Sequence, residues 1–129
     1  AGRARVMSWV FAALNSVEPL VLLYQATSGF DHDKPGAADY APTTEERLHG
    51  RLKLLSEALG TKDWLTDDFT VADILMIHVL MPLTKRDSFD MPDVIAAYID
   101  RGRARPAFKA ALDAQMAGFT EQAPEAVPA

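Results

Sequence analysis

The chain has 129 residues, a net charge of −5, 49% hydrophobic and 24% charged residues, and no cysteine. This is one domain of ordinary size, able to bury a core, and its acidic balance argues against a nucleic-acid partner. Disulfides, thiolate metal sites and a cysteine nucleophile are excluded within it. The first helix is predicted from about Arg3 to Thr27, with Pro19 kinking it because proline removes an amide donor and crowds the preceding turn. At about 100° per residue, Val6, Trp9, Val10, Ala13, Leu14 and Val17 form a wide apolar face. Ser8, Ala12 and Asn15 lie opposite, with Phe11 at the edge. A solvated face normally carries Lys and Glu, so these small, mildly polar residues suggest close approach by a neighbouring helix, a ligand or a second subunit.

Gly29, Asp31, Asp33, Pro35, Gly36 and Asp39 mark a polar loop. Pro42-Thr43-Thr44-Glu45-Glu46 then announces a second helix, with Thr43 and Glu46 as its capping box. Its apolar seam is Leu48, Leu52, Leu55 and Leu59, and Gly60 is placed to end it. Trp64, Leu65 and Phe69 bracket a short connection.

Phe69-Thr-Val-Ala-Asp-Ile74 opens the third helix, predicted over 70–81 and stopped by Pro82. Thr70 is the N-cap and Asp73 the acidic partner of a capping box, while Phe69 and Ile74 are spaced as a hydrophobic staple. Cap residues of this kind contribute about 1 kcal/mol each. Val71, Ile74, Leu75, Met76, Ile77, Val79, Leu80 and Met81 leave no polar stripe, which predicts the central, buried helix of a bundle. Residues 85–92 read as loop. Helices at about Asp93–Arg101 and Pro106–Met116 follow, and residues 118–129 read as a flexible tail. Nothing alternates with period two, so the fold class is all-α, a bundle of about five helices in a single domain spanning residues 1–129.

The chemical groups give no catalytic constellation. His32, His49 and His78 lack ligand spacing, and His78, on an apolar helix, reads as a core histidine. Asp67, Asp68 and Asp73 resemble a metal cluster only until Asp73 is assigned to its cap, so no metal is expected. Arg101, Arg103, Arg105 and Lys109 cluster at a helix junction, where they read as helix-terminus charges and salt-bridge partners, with an anion site as the alternative. The apolar runs Val17–Leu23 and Val71–Leu83 are shorter than the roughly 20 residues of a membrane span, and no signal-peptide pattern is visible.

Three segments carry a likeness to a known family: Arg5-Val-Met-Ser-Trp9 leading to Pro19, then Phe69-Thr-Val-Ala-Asp-Ile74, then Ala97-Tyr98 with Arg105-Pro-Ala-Phe108. In this order they resemble the C-terminal helical domain of glutathione S-transferases, over roughly residues 3–117. Thr66 departs from a glycine frequent in the family at that turn. The resemblance implies the C-terminal half of a cytoplasmic, dimeric detoxification enzyme. In that family a thioredoxin-like N-terminal domain, which is not in this sequence, binds the co-substrate glutathione and stabilises its thiolate. The helical half supplies the wall for a small electrophile and much of the homodimer interface. Ser8, Phe11, Ala12 and Asn15 are the candidate wall. By this reading the complete protein is a transferase, the isolated chain is inactive, and neither nucleic acid nor membrane is a partner. A non-catalytic interaction module with the same helical fold is the alternative.

Overall fold

The computed structural model describes residues 2–86 and 88–121. They form five helices and, among the described residues, no strand. Helix α1 is a continuous run over Arg3–Phe30, α2 spans Ala37–Leu59, α3 Val71–Leu80, α4 Asp93–Arg103 and α5 Pro106–Glu121. Helix α1 packs on α2 and α3, α4 packs on α2 and α3, and α5 rests chiefly on α4. The all-α class and the number of helices therefore agree with the sequence reading.

Helix α1 shows how Pro19 is accommodated. Pro19 cannot donate to the Asn15 carbonyl, and the helix widens just before it into a π-helical turn over Ala13–Val17, where the Glu18 amide reaches the Ala13 carbonyl. The helix continues past the predicted end at Thr27 through a second π-helical turn, Ala26–Phe30, and leaves helical geometry at Gly29. By length and apolar composition α1 can cross a bilayer, which the short uninterrupted runs did not suggest, because scattered polar residues break the runs without lowering the average much. In the bundle, however, its Ala13, Val17, Val21 and Tyr24 edge is buried in the core.

The second helix begins earlier than expected. It starts after Gly36, whose φ of 84° favours glycine, and runs through Pro42, so Thr43 and Glu46 lie inside a helix and form no capping box. Thr44 instead donates its hydroxyl to the Tyr40 carbonyl at 2.9 Å. Because Thr43 is exposed and caps nothing, Thr43→Ala should change stability by less than about 0.5 kcal/mol in urea denaturation. A loss of about 1 kcal/mol would show that a cap forms there after all. The leucine seam is as predicted: Leu48, Leu52, Leu55 and Leu59 are all buried, and Gly60 ends the helix with its amide on the Ser56 carbonyl at 2.8 Å.

Helix α3 is not buried all round. Its inner side, Ala72, Asp73, Met76, Ile77, Val79 and Leu80, is in the core, but Val71 is 49% and Ile74 55% exposed. His78 is exposed too, which corrects the core-histidine reading. An uninterrupted apolar helix reads as buried only if something covers every side, and α5 rests chiefly on α4 instead of covering this one. Pro82 does not stop the chain's coiling either, since a 3-10 turn continues over Met81–Lys85. Helices α3 and α4 meet closely at Gly102, where a side chain would collide with Ile77. The final helix extends beyond Met116 to Glu121, so the first part of the predicted tail is helical, and residues 122–129 lie outside the described region.

Candidate functional site

The strongest polar feature is the Asp73 carboxylate, wholly buried at the start of α3. One oxygen accepts from the Thr70 amide at 2.9 Å and from the Thr70 hydroxyl at 3.3 Å. The other accepts from the Leu65 amide and the Tyr98 hydroxyl, both at 2.9 Å. Thr70 completes the predicted capping box, its hydroxyl accepting from the Ala72 amide at 3.3 Å. Asp73 is thus both a cap and a knot joining the 61–69 connection, α3 and α4. Burial above all, then the Asp73 charge and the hydrogen bond to it, push the Tyr98 hydroxyl far above the ordinary tyrosine range, with Arg101 opposing slightly. This is a structural site: every donor aimed at the carboxylate is bonded to it.

Phe69 and Ile74, the predicted staple pair, line one apolar groove of about 410 Å³ between α3 and α5, together with Leu75, His78, Phe108 and Arg105. The Arg105 guanidinium stacks 3.5 Å from the Phe69 ring centroid. Arg101 pairs with Asp63, Nε to Oδ1 at 3.2 Å, as the salt-bridge reading of the basic cluster anticipates. Among the described residues no group of three or more histidine or acidic side chains is arranged to hold a metal.

A second cleft runs between α1 and α2. It consists of two adjoining hollows of about 630 and 200 Å³ that share Ser16, Arg51 and Leu54. Asn15 lines the larger and Ala12 the smaller, so two of the four candidate wall residues face the cleft. The other two are not in it. Phe11 is 58% exposed, and the exposed Ser8 hydroxyl donates to the Ala4 carbonyl at 3.0 Å. The π-helical turn separates Ala12 from Pro19, and it is here that the cleft's α1 wall is formed.

The opposite wall, Arg47, Gly50, Arg51 and Leu54 of α2, was missed by sequence reasoning, which attended to the buried leucine seam. The signal was available: two arginines one helical turn apart, away from that seam, with a glycine between them. Trp9 and Met76 give the smaller hollow an apolar lining. The arrangement suits a small, largely apolar ligand oriented by a few polar groups.

Compared with known proteins, the chain matches no protein-family model and no curated protein.

Proposed function

We propose that this chain is the electrophile-binding and dimerisation domain of a glutathione transferase, resembling the C-terminal helical domain of that family. The observation that carries the reading is the Thr70–Asp73 capping box, the most specific motif of the resemblance, which forms as the sequence predicts within an all-helical bundle. The α1–α2 cleft supports it further, because Asn15 lines a hollow of about 630 Å³, the size a small organic ligand needs, and Ala12 lines the smaller hollow that adjoins it. In the complete protein a thiolate-stabilising domain would hold glutathione, and the sulfur would attack an electrophile oriented by this cleft.

The test is Ala12→Trp in the complete transferase, assayed with glutathione and 1-chloro-2,4-dinitrobenzene. Filling the smaller hollow should lower kcat/KM for the aromatic co-substrate by about tenfold or more, leave the glutathione KM within about twofold, and preserve the helical circular dichroism. The isolated chain should conjugate nothing. Turnover by this chain alone, or a complete protein without thiol-conjugating activity, would overturn the assignment.

The exposed α3–α5 groove, with Ile74 55% accessible on its wall, favours a second reading as a non-catalytic interaction module.

A further inference from the structure

Helix α5 is 16 residues long, and only its start is packed. Phe108 is half-buried, every side chain over residues 109–119 is exposed, and the helix rests chiefly on α4. Most helical stability in proteins comes from a packed apolar face, so a helix this bare is marginal in water. Such a face exists and is uncovered. Phe108, Leu112, Met116 and Phe119 follow one another at helical spacing, and the last three are 44%, 55% and 67% exposed. The α3–α5 groove adjoins the first half of the helix, at Ala107, Phe108 and Ala111, while the exposed trio occupies the second half.

That division suits reciprocal contact. Two copies of α5 laid antiparallel across a two-fold axis put the second half of each over the first half of the other, and the contact closes on itself. The middle of the helix is small, with Ala110, Ala111 and Ala114, which lets two helices approach closely. Charge sets the register. Lys109 and Asp113 lie along one edge of the apolar face, one turn apart, in the order that is the poorer one within a helix. Among the described residues the ion pairs are His49–Glu45 and Arg101–Asp63, so neither Lys109 nor Asp113 has one. With the axis at Ala111, Lys109 of each chain faces the partner's Asp113. We propose that α5 and the α3–α5 groove are the surface on which two copies of this chain pair, antiparallel helix on helix, with two Lys109–Asp113 ion pairs flanking the axis. The inference rests on the dimerisation part of the reading above and not on its chemistry.

Sedimentation equilibrium of this chain over a concentration series tests it. The wild type should dimerise with a Kd on the order of 10 μM, the weak end expected of a small interface. Leu112→Gln, at an exposed position, should weaken pairing by about tenfold or more and leave the helical circular dichroism unchanged. Lys109→Glu and Asp113→Lys should each weaken self-association by about tenfold, because each sets like charges against one another on both sides of the axis. Mixed in equal amounts, these two charge variants should pair with each other to within about threefold of the wild type, since opposite charges then meet at both places. A mere loss of helix stability would give no such recovery. A chain monomeric at every concentration would overturn the proposal and leave the face to a different partner. A dimer indifferent to all three substitutions would place the pairing elsewhere on the chain and sink it equally. Charge variants that weaken without recovery on mixing would overturn the antiparallel register. No conjugation is assayed, so failure here leaves the transferase chemistry to be judged by Ala12→Trp.

Discussion

Asp73→Ala should destabilise this protein by about 4 kcal/mol, a large part of the roughly 5–15 kcal/mol that holds a domain of this kind together. The loss of a cap accounts for only about 1 kcal/mol of it. The rest comes from donors that Asp73 alone satisfies, the buried Leu65 amide and the buried Tyr98 hydroxyl. Each costs about 1–3 kcal/mol when left without an acceptor away from water. Thr70→Ala, by contrast, removes a half-buried hydroxyl and should cost about 1 kcal/mol. Asp73→Asn should fall between the two. Its amide oxygen can still accept from Leu65 and Tyr98, but its NH₂ group then opposes the Thr70 amide, donor against donor.

Urea midpoints of the three variants and of the Thr70/Asp73 double alanine variant check this ranking. The double should lose less than the sum of the singles, because the Thr70 hydroxyl also bonds to the carboxylate. Equal losses at Thr70 and Asp73 would mean that Asp73 acts as a cap and nothing more.

That ranking also marks what could be read from the sequence. The capping box was legible because it is local, with every participant within four residues. So were the leucine seam of α2 and its terminating Gly60, which follow from helical period and backbone geometry. The further partners of Asp73 were not legible, since Tyr98 is 25 residues away and meets it only when α4 docks on α3. The start of α2 was misplaced for a related reason. Pro42 and Thr43 look like a helix N-terminus, but the turn ending at Gly36 sets the chain on its helical course earlier. The exposure of Val71, Ile74 and His78 depends on where α5 lies, and an all-apolar stretch carries no mark of which side stays open. On α1, residue pattern picked out Ala12 and Asn15, while the wall opposite them belongs to another helix altogether.

Tyr98 should give the protein an alkaline weakness that a phenylalanine would remove. In the fold its hydroxyl is held by burial, by the Asp73 charge and by the hydrogen bond to Asp73 well above the ordinary tyrosine pKa of about 10. The folded state therefore keeps a proton that the unfolded chain gives up. Its stabilising contribution is complete below about pH 10 and falls as pH rises beyond that, by up to about 1.4 kcal/mol per pH unit. Tyr98→Phe leaves one acceptor site of the buried carboxylate unused, so at pH 8 the variant should be less stable by about 1–2 kcal/mol. Its alkaline limb lacks this titration. The two stability curves should therefore converge above pH 10 and cross near pH 11–11.5, since a deficit of that size is recovered within about one to one and a half pH units. Comparing wild type with variant cancels the other tyrosines and lysines that titrate in the same range. Urea denaturation at half-unit steps from pH 8 to pH 11.5 would resolve the crossing. Parallel curves would mean that Tyr98 exchanges its proton as freely in the fold as outside it, and that the Asp73 knot does not hold α4 in place.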